Sequence, residues 1–186
     1  MKKLAFLVAL AVQLAVCGCG YNAPSNDVTT TTNGDWEATL TGGTGPTSQM
    51  NFVVDFSVTD TTGQASEPLD ITSFSFFNQG SCFITGYDQE AVNGTATVST
   101  ATDGTVTGTV TLNITNPPTG AVLTLTGNLT GTSNGTPTTE GTLSNGVVVG
   151  SWTMTPGSGP AACSTPTNNP QPPFLMCQGA ATCTAP

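Results

Sequence analysis

The sequence predicts an all-β protein, an antiparallel up-and-down meander of about eight strands. Apolar and polar residues alternate with a period of two, which is typical of strands that bury one face. Asp-Gly and Asn-Gly pairs between such stretches are signals for tight hairpins. Threonine recurs along most of the chain, and its β-branched side chain favours a pleated strand over a helix.

The first three strands are predicted from their apolar faces. The first carries Trp36, Ala38 and Leu40 on one side. The second has the strongest alternation, and its apolar face consists of Met50, Phe52, Val54, Phe56 and Val58. The third lies in LDITSFSFF, where the adjacent residues Phe76 and Phe77 leave the register open.

Two hairpins are predicted further along the chain. Asp103-Gly104 turns the first, and the apolar face that follows consists of Val106, Val110, Leu112 and Ile114. NPPTG is a turn by composition, and the next strand has the apolar face Leu123, Leu125 and Leu129. The second hairpin is predicted to turn at Asn145-Gly146.

These strands predict one closed domain. Sequential strands that neighbour one another form a meander, and a meander of this size closes most easily into a β-barrel, which removes its free edges. A two-sheet β-sandwich of the same strands is the alternative. The chain is long enough to bury a sizeable core, so we expect a single β domain over residues 34–186.

The first residues have the layout of a secretory signal peptide. Lys2 and Lys3 precede an apolar run at residues 4–16, which is shorter than the about twenty residues of a membrane-spanning helix. Val16-Cys17-Gly18-Cys19 follows and resembles the lipobox of bacterial lipoproteins. The resemblance implies a signal peptide at residues 1–18 and a diacylglycerol on the sulfur of Cys19. An ordinary cleaved signal peptide is the alternative.

Residues 19–33 are polar and threonine-rich, and they are predicted to form a flexible tether behind the lipid. The residue after Cys19 is Gly20 rather than an acidic residue. In bacterial lipoproteins that pattern implies delivery to the outer membrane. The resemblance therefore implies a protein of the bacterial cell envelope that is held to a membrane by its N-terminal lipid.

Four cysteines remain for disulfides once Cys17 is removed with the signal peptide and Cys19 carries lipid: Cys82, Cys163, Cys177 and Cys183. An exported chain lies where disulfides persist, and four cysteines allow three pairings. Cys177 and Cys183 are close enough in sequence to close a small loop, which leaves Cys82 to pair with Cys163. These bonds are predicted to hold residues 156–186, where frequent prolines predict an irregular tail.

The charge pattern excludes several classes of function. Lys2 and Lys3 are the only basic residues, so losing the leader takes the formal net charge from −9 to −11, and the chain has no histidine. Binding of nucleic acid needs cationic side chains, and Ser-His-Asp or Cys-His catalysis needs histidine. We predict no catalytic residue, no metal site and no cofactor. A carboxylate-based glycan hydrolase is a distant alternative.

Gly34-Asp35-Trp36 resembles the GxW motif of the lipocalin and avidin barrels. In that superfamily the tryptophan closes one end of the barrel, often beneath an arginine from the last strand. This chain contains no arginine, so the usual closure cannot form.

The function predicted from these features is a non-catalytic, lipid-anchored binding or scaffold module. Its ligand would be cationic, neutral or apolar, and an apolar small molecule would sit in the barrel mouth against Trp36 or Trp152. Inward side chains that fill the barrel completely are the alternative to such a cavity. A structural surface protein that engages other envelope proteins through threonine-rich strands or an exposed edge is the alternative function.

Overall fold

The computed structural model describes residues 30–32, 36–48, 50–58, 66–83, 90–135 and 141–179. It is all-β, with a turn of 3-10 helix at Gly45–Thr47. The strands are β1 (Thr30–Thr32), β2 (Trp36–Leu40), β3 (Met50–Ser57), β4 (Glu67–Pro68), β5 (Asp70–Asn78), β6 (Ala91–Thr100), β7 (Thr105–Asn116), β8 (Ala121–Ser133), β9 (Gly141–Thr155) and β10 (Pro173–Gln178). Within these residues no helix has the length and apolar character to cross a membrane.

The strands form one curled sheet in the order β4-β6-β7-β8-β9-β10-β2-β3-β5. From β6 to β9 each strand pairs antiparallel with the next along the chain, as in a meander. β10 then pairs with both β9 and β2, so the last strand adjoins one of the first. In an up-and-down barrel, the last strand pairs with the first in this way. The predicted antiparallel barrel is confirmed, in a partly open form, and the two-sheet sandwich is not observed.

The opening in the barrel lies between β5 and β6. β4 pairs with β6, and the chain then continues into β5, which pairs with β3 instead. Leu69, between β4 and β5, donates its backbone N–H to the carbonyl oxygen of Gly94 at 2.9 Å. The segment from β4 to β5 therefore bridges the two edges of the curled sheet at one end. Along the described part of β5 beyond this bridge, no residue pairs with β6.

The alternation that predicted the strands corresponds to the inside and outside of the barrel. All five predicted inward residues from Met50 to Val58 are buried, as are those of the first strand and of the Asp103-Gly104 and NPPTG segments. In β5, Phe76 is half-buried against the core and Phe77 is 64% exposed, which settles the register that the sequence left open. The apolar faces are therefore confirmed.

The hairpin at Asp103-Gly104 is also confirmed. It joins β6 to β7, and Gly104 has a φ of 83°, a left-handed conformation that glycine adopts without a steric penalty. Ala101 donates its N–H to the carbonyl oxygen of Thr105 at 2.8 Å, and Thr105 donates its own N–H to Asp103 Oδ1 at 2.9 Å. Both residues of the turn signal thus have the structural roles expected of them.

The second predicted hairpin, at Asn145-Gly146, is wrong. β9 continues through both residues, and its register against β8 shifts between Thr130 and Thr132. Asn145 has a φ of 54°, so the pair forms a β-bulge in an unbroken strand. An Asn-Gly pair suits a bulge as well as a hairpin, and here Gln178 of β10 stabilises the bulge by accepting the Gly146 N–H at 3.1 Å.

Two segments predicted to lack regular structure contain strands. β10 lies inside the tail at residues 156–186, and Pro173 is tolerated because it takes the first position of that strand. β1 lies inside the predicted tether at residues 19–33 and pairs parallel with β9, opposite Gly141–Leu143. β10 covers β9 only between Val147 and Ser151, so β1 bonds to backbone groups that β10 leaves free.

Candidate functional site

The predicted ligand region, the barrel interior, is occupied by side chains from the described strands. The largest of the fully buried ones are Trp36, Trp152, Phe52, Phe83, Met50, Leu112, Ile114, Leu123, Leu125, Leu129, Leu143 and Met176. Gly127 and Gly150 face each other across β8 and β9, and the ring of Phe174 packs over them. The C-terminal strand therefore fills the space that the paired glycines leave in the core.

Trp36 closes one end of this core. Its side chain has no exposed surface, and its ring stacks on Phe56 with centroids 5.2 Å apart. Gly146 of the bulge lies against the edge of the indole, so a methyl group at that position would collide with it. The Trp36 Nε1 donor is buried, and none of the described residues accepts a hydrogen bond from it. Gly34 and Asp35, the other residues of the GxW motif, lie outside the described residues.

Trp152 lies towards the opposite end and has a structural contact of its own. Its Nε1 donates to the carbonyl oxygen of Thr41 at 3.0 Å, and its backbone N–H donates to Pro172 at 2.9 Å. β10 separates the two tryptophans, because Trp36 is opposite Gln178 and Trp152 bonds to the residue before Pro173. Six residues of strand span roughly 20 Å. The structure does not bring the two predicted ligand-facing aromatics together.

A disulfide closes the end of the barrel near Trp152. Cys82 follows β5 and bonds to Cys163 of the tail, with the two Cα atoms 5.3 Å apart, which confirms the predicted pair. The tail is also held by Thr165, whose hydroxyl accepts the Met154 N–H at 2.7 Å. Cys177 is disulfide-bonded as well. Its predicted partner, Cys183, lies outside the described residues, so the pair Cys177–Cys183 stays a prediction.

The described acids are distributed around the short strands and turns. Asp55 of β3 accepts a hydrogen bond from the hydroxyl of Ser73 at 2.9 Å, on the outer surface. Thr105 lowers the pKa of Asp103 by donating hydrogen bonds to its carboxylate in an exposed turn. Among the described residues, no three acids, cysteines or histidines approach closely enough to hold a metal ion. Asp55 and Asp103 therefore have surface and turn-forming roles, whereas Glu67 Oε1 on β4 is buried and receives no hydrogen bond from the described residues.

A shallow groove lies where β2, β3 and β5 meet the 3-10 turn. Its walls include Pro46, Ser48, Asn51, Asn78 and Gly80. Asn78 Oδ1 accepts the N–H of Gly80 at 3.0 Å, whereas Asn51 Oδ1 is buried and receives no hydrogen bond from the described residues. The groove is open, its lining combines polar side chains with Leu40 and Met50, and no charged side chain of the described residues lines it.

The outer face of β6, β7, β8 and β9 is a uniform polar surface, which we call the threonine face. Four consecutive rows cross these strands, and apart from Val147 and Val149 every residue in them carries a hydroxyl or an amide. The rows are Asn93-Asn113-Thr124-Thr153, Thr95-Thr111-Thr126-Ser151, Thr97-Thr109-Asn128-Val149 and Ser99-Thr107-Thr130-Val147. The threonine enrichment was visible in the sequence, but the alignment into rows depends on the strand register.

Residues 1–29 lie outside the described residues, so the structure does not bear on the signal peptide, on Cys19 or on most of the tether. Comparisons with protein-family models, with curated proteins and with solved structures found no match to this chain.

Proposed function

We propose that this chain is a non-catalytic lipoprotein of the bacterial cell envelope that acts through its outer surface. In this proposal palmitate-type acyl chains on Cys19 and its diacylglycerol anchor it to the outer membrane. The β-barrel serves as a binding or scaffold module beyond the membrane surface. More than one acyl chain gives stable attachment, whereas a single chain gives only reversible binding.

The filled barrel interior is the observation that carries the proposal. Trp36 and the disulfide region occupy the two ends, and large apolar side chains lie between them. A solid core of this kind supports a rigid scaffold better than a lipocalin-like carrier, whose ligand needs a cavity. The lack of histidine throughout, and of Lys and Arg after the leader, supports a non-catalytic role.

Metabolic labelling with a clickable palmitate analogue tests the anchor. Label is expected in the wild-type chain and in the control variant Cys17→Ala, and it is expected to disappear in Cys19→Ala because the acylated sulfur is gone. Full labelling of Cys19→Ala would contradict the anchor, and so would a wild-type chain that carries no label.

Native mass spectrometry of the detergent-extracted protein tests the scaffold role. The expected mass is that of the lipidated chain alone, because the described interior is occupied by its own side chains. A small molecule that co-purifies in a one-to-one ratio, and that is lost in Trp36→Phe or Trp152→Phe, would instead favour a ligand inside the barrel.

A second candidate function is a structural protein that engages another envelope protein through β5. β5 lies at one end of the strand order and carries Phe77, whose 64% exposure is unusual for a large apolar residue on an edge strand. Crosslinking through the carboxylates is expected to capture a discrete partner in this case. Phe77→Ser should weaken that product, while Val149→Ser, at the other large apolar residue that is exposed among the described residues, should not.

A further inference from the structure

We infer that the threonine face binds a linear, uncharged polysaccharide. The inference depends on the proposed function in one respect, namely that the outer surface is the working surface of the barrel. It goes further by assigning one part of that surface and one chemical class of partner.

The regularity of the face is the first argument. The pairings β6–β7 and β7–β8 run over their full lengths without a shift in register. Neighbouring strands in a sheet lie about 4.8 Å apart, and residues on one face recur about every 6.7 Å along a strand. The hydroxyl groups therefore repeat in two directions. A polymer of identical units matches a repeating set of hydrogen-bonding groups better than a single small molecule does.

The free hydroxyls are the second argument. Thr95, Thr107, Thr111, Thr126 and Thr130 make no side-chain hydrogen bond with any described residue. Each such hydroxyl offers one donor and two acceptor sites to a partner. Their β-branched side chains lose little rotational freedom on binding, because strand geometry already restricts χ1.

Two pairs of side chains within this array are already hydrogen-bonded to each other. The hydroxyls of Thr97 and Thr109 lie 2.8 Å apart, and Thr124 donates to Asn113 Oδ1 at 2.9 Å. Thr95, Thr111 and Thr126 lie in the row between these two bonded pairs, and Thr107 and Thr130 lie in the row beyond Thr97 and Thr109. The surface is prepared for hydrogen bonding before a partner arrives, which lowers the entropy cost of binding.

The charge distribution selects the partner. The four strands of the face carry no ionisable side chain. The described acids lie around it: Glu37, Asp55, Glu67 and Asp70 on β2, β3, β4 and β5, and Glu90 and Asp103 beside the ends of β6 and β7. An anionic polymer would meet no cation and would be repelled by the net negative chain, and a cationic one would bind at the acidic strands instead. The face also lacks the aromatic and arginine anchors of protein interfaces. Neutral sugar hydroxyls complement what remains, and a flexible linear chain can follow the curl of the sheet.

Affinity electrophoresis of the intact lipoprotein in non-ionic detergent tests the inference. The acidic protein migrates towards the anode, and binding to an immobile neutral polymer in the gel slows it. The probes are an unbranched β-linked glucan, a glucomannan and an unbranched α-linked glucan, with polygalacturonate as the anionic control. We expect retardation by at least one neutral polymer, none by polygalacturonate, and little change with added salt, because no ion pairs form.

The double variant Thr111→Val with Thr126→Val locates the binding. These residues are directly opposite each other, and valine keeps the branched shape while removing the hydroxyls. Its apparent association constant is expected to fall about tenfold, the loss of two hydrogen bonds of ordinary strength. Thr39→Val on β2, outside the face, should bind as the wild type does, and unchanged circular dichroism confirms that all variants are folded.

Three results would overturn the inference: retardation by none of the neutral polymers, equal retardation of the double variant and the wild type, or retardation by polygalacturonate alone. None of them affects the lipid label or the mass of the native protein, so failure here is distinguishable from failure of the proposed function.

Discussion

Each half of the sheet buries its inner face, but the two halves are stabilised by different interactions. β6 to β9 are long strands with an uncharged outer face, and most of their pairing is continuous. β2, β3 and β5 are shorter, and the pairing of β3 with β5 shifts register twice. In that second half Phe52, Phe74 and Phe76 form a cluster, with ring centroids 5.0 to 5.9 Å apart. Long ladders stabilise the first half, and large aromatic contacts stabilise the second.

The difference between the two halves also accounts for the position of the Cys82–Cys163 disulfide. Cys82 belongs to the loop after the short, irregular strand β5, and Cys163 belongs to the tail after the long strand β9. β5 and β6 do not pair with each other in the described residues, so the barrel is open between these two strands. The Cys82–Cys163 disulfide therefore connects the half with short strands to the half with long strands. It does so on the side of the barrel where no hydrogen bonds join β5 to β6.

Removing the Cys82–Cys163 disulfide is expected to have the largest effect on the difference between the two halves. Cys82→Ala with Cys163→Ala opens a loop of 81 residues, and the chain-entropy model assigns such a closure about 4.5 kcal/mol of stability. Urea unfolding monitored by tryptophan fluorescence should show that loss. In hydrogen exchange, amides of β3 and β5 should lose protection before those of β7 and β8. Uniform loss of protection across both halves would contradict the proposed division.

Adding one methyl group inside the long-strand half should have the next largest effect. In Gly127→Ala the new Cβ would lie 2.8 Å from Val148 Cγ1 and 2.9 Å from Phe174 Cζ, so we expect a loss of about 1–3 kcal/mol. The side chain of the adjacent residue, Thr126, points outward. Thr126→Val should therefore change the free energy of unfolding by less than about 0.5 kcal/mol. Equal effects in urea unfolding would mean that the inside and outside of β8 are wrongly assigned.

The two tryptophans allow a finer comparison. Both are fully buried, but Trp152 donates a hydrogen bond to Thr41, whereas Trp36 Nε1 has no acceptor among the described residues. Trp152→Phe should therefore cost about 1 kcal/mol more than Trp36→Phe, because it leaves the Thr41 carbonyl without its donor. Thermal and urea unfolding of the two variants measure the difference. The reverse order would mean that Trp36 bonds to a group outside the described residues.

The smallest expected effect concerns the turn that begins the long-strand half. Thr105 lowers the pKa of Asp103 below its ordinary value of 3.8. Because the folded-state pKa is depressed, the ionised carboxylate adds stability above its unfolded pKa, and that stability is lost as the pH falls through the folded pKa. Asp103→Asn should be slightly less stable than wild type at neutral pH, and the difference should vanish as the pH falls below the lowered pKa of Asp103. A difference independent of pH would contradict this role.

Local patterns gave correct predictions wherever one stretch of chain was sufficient to decide the outcome. Period-two alternation predicted the buried faces of β2, β3, β7 and β8, and Asp103-Gly104 predicted a hairpin, since side-chain direction and φ preferences are local properties. The Cys82–Cys163 pair was found by elimination among four cysteines. The threonine face was visible only as composition, because its rows depend on the register between strands.

The prediction failed where a distant partner decided the structure. Asn145-Gly146 has the composition of a hairpin turn, yet pairing with β8 and the side chain of Gln178 make it a bulge. Several prolines precede Pro173–Gln178, which predicted an irregular tail. The segment nevertheless forms a strand, because β9 and β2 each offer it a free edge.

The sequence by itself determined that this protein is all-β, which side chains face inward, and that Lys2 and Lys3 are its only basic side chains, because these properties follow from residue type and spacing alone. Only the tertiary structure decided that β10 lies between β9 and β2, that the barrel stays open beside β5, and that threonine hydroxyls align in rows. Those features depend on hydrogen bonds between segments far apart in the chain, and the free energy of such pairing is not encoded in any single segment.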